Sequence, residues 1–162
     1  MNLNTNFDAC LSFPSPVGDI SLFSRSEKIV ALHMGAPAAP NIGSSDVLEQ
    51  AKAQLQQYFE GKIQDFNLPL DPHGTDFQKA VWNEISKVGF GEIITYQQIA
   101  AKIGKPLASR AVGGAVGSNP IALLIGCHRV LGASGRITGY SGGDGIPTKR
   151  WLLAHEQIAT VD

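Results

Sequence analysis

The spacing of apolar positions divides the chain into two parts. In the first part, residues 9–13, 19–24 and 29–34 read as three short strands. Pro16-Val17-Gly18 and Arg25-Ser26-Glu27-Lys28 supply the turns between them, and Ala36 to Gly43, with two prolines, reads as a loop. Leu48, Ala51, Leu55, Tyr58 and Phe59 then recur at helical intervals. Asp46 and Glu49 have capping-box spacing at the start of that helix, and Gly61 is its stop signal. This pattern predicts a small antiparallel sheet with one helix packed on it. Phe66 to Leu70 reads as a further strand. A linker at Asp71-Pro72-His73-Gly74 closes this part.

In the second part the period is helical throughout. Thr75 or Asp76 can cap a helix running to about Val88, with Phe77, Val81, Ile85 and Val88 on one face. Gly89-Phe90-Gly91 ends it. Thr95 and Gln98 form a second capping-box pair, opening a helix from Tyr96 to Ile103. Gly104-Lys105-Pro106 is a tight turn, and a helix from Leu107 to about Val116 follows and stops at Gly117-Ser118-Asn119-Pro120. Two short helices about a three-residue turn match a helix-turn-helix. The second is nearly bare: Ala108, Ala111, Gly113, Gly114, Ala115 and Gly117 leave Arg110 as its one charge. Such a helix suits either close helix packing or close approach to a ligand. The arginine favours the latter, since it would be costly on a core-facing side.

The predicted fold is therefore α+β: a small N-terminal antiparallel sheet with a helix over residues 1–71, then a mostly helical, winged-helix-like domain with a helix-turn-helix over residues 72–162. Composition adds limits. The chain has 162 residues, of which 43% are hydrophobic and 17% charged, the balance of a globular protein. No run of eighteen apolar residues exists and Met1 to Asn6 lacks a secretory signal, so no membrane partner and a cytoplasmic location are expected. Cys10 and Cys127 are too few for a disulfide framework, and no CxxC or paired-His spacing suggests zinc. Cys10 reads as a packed thiol, and His33 and His73 as structural or solvent-facing side chains without partners. The net charge of −1 conceals an asymmetry: residues 1–71 carry 4 Lys/Arg against 8 Asp/Glu, and residues 72–162 carry 9 against 6. A basic second half fits a nucleic-acid surface confined to that half.

The candidate chemistry sits at Ile125-Gly126-Cys127-His128-Arg129-Val130, between an uncharged run and a glycine-rich loop from Gly132 to Gly145. A thiol reacts as thiolate, and an adjacent imidazole is expected to raise the thiolate fraction. Taken alone, a Cys-His pair is more often incidental than functional.

In its second half the sequence resembles the O6-alkylguanine-DNA alkyltransferases, or methylated-DNA–protein-cysteine methyltransferases. Gly74-Thr75-Asp76-Phe77-Gln78, Val81-Trp82, Thr95-Tyr96-Gln97-Gln98-Ile99-Ala100, Ser109-Arg110-Ala111-Val112-Gly113, Asn119-Pro120, Cys127-His128-Arg129-Val130, Thr138 to Gly143 and Lys149 to Leu153 carry the resemblance, in family order. It implies DNA repair by direct damage reversal, with one-shot transfer of an alkyl group from O6-alkylguanine to Cys127. It implies His128 as base through a water, Glu156 as the group orienting the imidazole, and Asn119 as a tie between the helix-turn-helix and the reactive loop. Tyr96 would bond guanine N3 and turn the target phosphate. Backbone groups of Cys127, Val130 and Ser141 would read the guanine edge, and Tyr140 would wall the pocket. Arg110 would fill the stack vacated by the flipped base, and Gln97 and Lys105 would touch the DNA backbone. The implied partner is double-stranded DNA bound through its minor groove by a monomer, with no metal and no organic cofactor.

The sequence departs from the family at Gly126, where proline is usual; glycine loosens the backbone that aims the sulfur. Two residues also appear inserted within Asp144 to Arg150. Two other readings compete: a lesion sensor or helix-turn-helix regulator whose cysteine no longer reacts, and a cysteine hydrolase using Cys127, His128 and Glu156.

Overall fold

The computed structural model describes residues 6–161 and contains two compact units. The first comprises the chain to His73 together with Pro120–Leu124; the second comprises Gly74–Asn119 and Ile125–Asp162.

In the first unit, strands β1 (Ala9–Phe13), β2 (Ile20–Arg25) and β3 (Lys28–Met34) form an antiparallel sheet in the order β1-β2-β3. Cys10 pairs with Phe23, and Leu22 with Leu32. Helix α1 (Asp46–Phe59) packs Leu48, Ala51, Leu55 and Tyr58 onto the sheet, as the spacing predicts. Fully burying each of the two leucines contributes about 1.5–3 kcal/mol. The cap is not Asp46, however. Ser45 accepts from the Leu48 N–H, and the Glu27 carboxylate accepts from Val47 N at 3.0 Å. The Glu27 carboxylate, from the turn before β3, thus satisfies an N–H at the helix start; Asp46 is simply the first helical residue.

The expected strand at 66–70 does not form. Leu70 makes one isolated bridge to Ile29, and Leu32 N donates to Pro120 O at 3.0 Å. Two short irregular segments therefore cover the outer edge of β3 instead of one regular strand. Cys10 is buried against Phe23 and Val30, as expected of a packed thiol. His73 does have a neighbour: its Nε2 lies 3.7 Å from Asp71 on the surface.

In the second unit, α2 (Asp76–Ser86) is capped by Thr75 in a full capping box with Gln78. It ends two residues short of Val88, leaving Val88 half-buried in the following loop. Helix α3 (Tyr96–Lys102) repeats the capping box with Thr95 and Gln98, and Gly104, at φ 76°, terminates it. Helix α4 (Ser109–Gly117) starts two residues later than the pattern suggested. Six residues, 103–108, thus separate the two helices instead of three. Pro106 at the turn keeps Lys105 out of helical geometry, and Leu107 is fully exposed. Strand β4 (Ile94–Thr95) pairs in parallel with β5 (Val130–Leu131), and α5 (Ile146–His155) closes the chain. The core of this unit is Val81, Trp82, Ile85, Ile99, Val112, Ala115, Val116, Leu152 and Leu153.

Candidate active site around Cys127

The reactive loop is set by a chain of backbone contacts. Asn119 donates from Nδ2 to the Ile125 carbonyl at 2.8 Å, joining the end of α4 to the residue that leads into the loop. The same carbonyl accepts from Cys127 N at 2.7 Å. With Gly126 at φ −72° and ψ 58°, this is an inverse γ-turn. A 3-10 turn over Cys127–Arg129 follows at once. It sends three consecutive side chains to three different places.

Cys127 is 3% exposed and borders a cavity of about 290 Å³. His128 is fully buried, and its Nε2 lies 2.6 Å from Glu156 Oε2. Arg129 donates to both oxygens of Glu156, from Nε to Oε1 at 2.8 Å and from Nη2 to Oε2 at 3.0 Å, and from Nη1 to the Val88 carbonyl at 2.8 Å. Glu156 itself caps the C-terminal end of α5. A guanidinium gripping both oxygens keeps that carboxylate ionised. An ionised carboxylate only accepts, so Nε2 of His128 carries the proton and Nδ1 carries the lone pair. Nδ1 has no hydrogen-bond partner among the described residues.

The electrostatics correct one expectation. Burial pushes the Cys127 thiol above its ordinary pKa, so in the resting protein it is a thiol and not a thiolate. The groups that oppose this are a hydrogen bond from Asn119, the ammonium of Lys149 and the Tyr140 hydroxyl, in that order. The adjacent imidazole is not among them. It is turned away into the core by the 3-10 geometry, and burial lowers its own pKa, with Arg129 and Lys149 acting in the same direction and Glu156 against. The charge that favours the thiolate comes from Lys149, on α5. Its Nζ is buried and donates to the Val130 carbonyl at 2.6 Å and the Gly139 carbonyl at 3.0 Å. Burial lowers its pKa to about 8, the neighbouring Cys127 partly opposing the shift.

The cavity beside Cys127 is lined by Tyr96, Gly113, Val116, Gly117, Thr138, Gly139, Tyr140 and Ser141. Ser141 donates from its hydroxyl to the Gly117 carbonyl at 3.0 Å, tying the glycine-rich loop to the end of α4. Val130 is fully buried and outside this lining; its carbonyl holds Lys149. A second, more open concavity of about 450 Å³ is bordered by Gln97, Ser109, Arg110 and Ala133, and shares Tyr96, Gly113 and Thr138 with the first. Lys105 lies outside both, with its ammonium 5.4 Å from the centre of the Phe77 ring. Among the described residues no group of three His, Cys, Asp or Glu side chains could hold a metal ion.

The bareness of α4 has a definite orientation. Val112, Ala115 and Val116 face the core, and Trp82 Nε1 donates to the Ala115 carbonyl at 2.8 Å. Arg110, Ala111, Gly114 and Gly117 are exposed, and a Cβ added at Gly114 or Gly117 would meet nothing within 4 Å. The glycines are therefore not there for helix packing. They leave a smooth outer surface with one cation at its beginning.

Sequence reasoning gave no role to three site residues: Arg129, Lys149 and Thr138. Two carried a signal. Arg129 is a permanent charge in an otherwise apolar stretch, which implies a buried counter-charge. Lys149 stands three and four residues before Leu152 and Leu153, at the spacing that shares a helix face with them.

Comparison with known proteins bears on this geometry. The family model described as "6-O-methylguanine DNA methyltransferase, DNA binding domain" matches residues 76–158, and "6-O-methylguanine DNA methyltransferase, ribonuclease-like domain" matches residues 10–72. The methylated-DNA–protein-cysteine methyltransferase of Haemophilus influenzae is 40% identical over 157 residues, covering 93% of this chain and 87% of that protein. The protein of the same name from Methanosarcina acetivorans is 42% identical, covering 89% and 95%. Among solved structures, Mycobacterium tuberculosis O6-methylguanine methyltransferase superposes with a TM-score of 0.81 at 39% identity, covering 94% of this chain and 95% of that one. The M. tuberculosis OGT structure in complex with DNA gives 0.81 at 42%, covering 90% and 91%.

Proposed function

This chain belongs to the O6-methylguanine DNA methyltransferase family and repairs DNA by alkyl transfer to a protein cysteine, and from that premise we propose that Cys127 is the acceptor and O6-alkylguanine the donor, in a reaction each molecule performs once. The observation that carries the assignment is the position of the sulfur: Cys127 borders the same cavity as Tyr96, Gly113 and Gly117, beside the bare face of α4.

The lesion lies on an edge of guanine inside the duplex, so the nucleotide must leave the stack, at a cost of about a few kcal/mol. The side-chain-free outer surface of α4 fits a minor groove, and Arg110 at its start fills the gap in the stack. Gln97, Ser109 and the exposed cation Lys105 offer contacts to sugar and phosphate, which fix position without reading sequence. A cavity of about 290 Å³ suits a single base with a small adduct.

The reaction is displacement at the alkyl carbon. The thiol proton passes through a bridging water to Nδ1 of His128, and the S–C bond forms as the C–O bond breaks. The imidazolium so formed is stabilised by Glu156 across 2.6 Å. Lys149 stabilises the thiolate as it develops. Guanine is a poor anionic leaving group, and the Tyr96 hydroxyl, donating to N3, offsets its charge. Asn119 holds the sulfur and the Ile125 carbonyl together, so the loop keeps its aim. The product is a thioether, which no group in this cavity can cleave. Neither a metal nor an organic cofactor has a part in these steps. The chain acts as a monomer, in the compartment that holds its DNA.

The test is stoichiometry. Incubation with a duplex carrying a labelled O6-methyl group should transfer label to Cys127 in a near one-to-one amount, and Cys127→Ser should transfer none. Repeated turnover would exclude the one-shot scheme. Tight binding without covalent product would make the protein a lesion sensor.

A further inference from the structure

Tyr96 and Thr138 meet at the rim shared by the two concavities, and their contact is directional: the Thr138 Oγ1 hydroxyl donates to the Tyr96 hydroxyl oxygen at 3.1 Å. The fold arranges this contact in three steps. The parallel pairing of Thr95 with Leu131 puts their successors, Tyr96 and Gly132, side by side. The loop after Gly132 then folds back on itself, with Gly132 N donating to the Arg136 carbonyl at 2.7 Å. This returns Thr138 over the bare backbone of Gly132, where a Cβ would come within 2.8 Å of the Thr138 methyl. With its methyl seated there, Thr138 turns its hydroxyl to Tyr96.

A phenol oxygen has one proton to give. A hydroxyl that donates to that oxygen occupies its acceptor side and leaves the phenolic proton aimed elsewhere. It also polarises the phenol, making it a better donor to the next group in line. The contact is solvent-exposed in the free protein and is covered when a nucleotide fills the cavity, where its strength rises as water leaves.

We propose that Thr138 is a positioning residue for the transfer reaction: it receives no proton from Tyr96 but donates to it, so that the tyrosine proton is held for the guanine leaving group. This rests on the reading that Tyr96 donates to guanine N3.

Single-turnover transfer from an O6-methylguanine duplex tests it, with Thr138→Val removing the hydroxyl at constant shape and Thr138→Ser restoring it. Thr138→Val should slow transfer about tenfold, the worth of one such hydrogen bond. Thr138→Ser should stay within about twofold of the native rate. Duplex affinity and the reaction of Cys127 with iodoacetamide, which needs no leaving-group donor, should be unchanged in both. In a Tyr96→Phe background, Thr138→Val should add no further loss. A Thr138→Val protein that is as fast as the native one or faster, or one that loses as much in the Tyr96→Phe background, overturns the role of Thr138 alone. A Tyr96→Phe protein with the full native rate removes the role of Tyr96, and with it this one.

Discussion

Arg129 and Glu156 form a buried two-point ion pair, Nε to Oε1 at 2.8 Å and Nη2 to Oε2 at 3.0 Å, and the carboxylate so held fixes the tautomer of His128, whose Nε2 lies 2.6 Å from Oε2. Without the guanidinium, the carboxylate would be a buried anion without its two-point cation, while keeping the imidazole and the Gly91 N–H at 3.3 Å. Arg129→Met should therefore destabilise the fold by about 3–5 kcal/mol, because it strands a buried charge. Replacing both residues, as Arg129→Met with Glu156→Leu, should cost less than Arg129→Met alone. Urea unfolding of the native protein and the two variants checks this. A double variant no more stable than the single would show that the pair is not the main contact of either residue.

The buried imidazole gives stability an acid limb. Its folded pKa lies below the ordinary 6.5, chiefly from burial. As pH falls below 6.5, the unfolded chain takes up a proton at this ring before the folded protein does, so stability is lost through that window. Unfolding free energy should decline as pH drops from 6.5, and His128→Asn should flatten that decline. The transfer rate should keep its plateau to a pH below 6.5, since the base stays neutral there. The rate of His128→Asn should be lower by about a hundredfold or more at neutral pH.

Lys149 predicts a limb on the other side. Its pKa of about 8 means that the cation facing the sulfur disappears as pH rises through that value. A cation near a thiolate lowers the thiol pKa by about 1–3 units. Lys149→Met should therefore slow transfer about tenfold or more at pH below this limb. It should also abolish the break expected near pH 8 in the native rate profile. A break that survives the substitution belongs to another group.

These residues mark the boundary of what the sequence makes legible. The strands, the Thr95–Gln98 capping box and the apolar stripes are local patterns, and they hold to within a few residues. Asp46 has the capping-box spacing with Glu49, yet the cap is Ser45, whose hydroxyl donates to Glu27, eighteen residues earlier. The strand expected at 66–70 fails because the edge of β3 is divided between Leu70 and Ile121, a pairing no local pattern encodes. The same holds in the site. Cys127, His128 and Glu156 stand out as residue types, but the source of the charge beside the sulfur does not. It depends on α5 bringing Lys149 beneath the loop, and a lysine in a helix usually reads as surface.

Gly126 permits a direct test of how the sulfur is aimed. Its φ of −72° lies within the range proline imposes, and the inverse γ-turn uses no N–H from this residue. The cost of any Cβ here is a contact at 3.1 Å with Nη1 of Arg129. Alanine and proline share that cost, but only proline also restricts the unfolded chain. Gly126→Pro should thus be more stable than Gly126→Ala by about 0.4–1 kcal/mol, with transfer within about threefold of native. Thermal midpoints of the two variants, with single-turnover rates, decide it. A proline variant less stable than the alanine one would mean that the turn needs the freedom of glycine.

Arg110 should separate binding of duplex from chemistry on the base. It is exposed at the second position of α4, on the rim of the open concavity. Arg110→Ala should therefore leave stability within about 0.5 kcal/mol of native. If its place is in the vacated stack, its loss falls on the step that takes the nucleotide out of the duplex. Transfer from an O6-methylguanine duplex should drop by about tenfold or more, by the energy of stabilising one unstacked step. Transfer from the free base O6-benzylguanine, which has no stack to leave, should change little. Equal losses on both substrates would place the guanidinium in the chemical step or in the pocket wall, and not in the duplex.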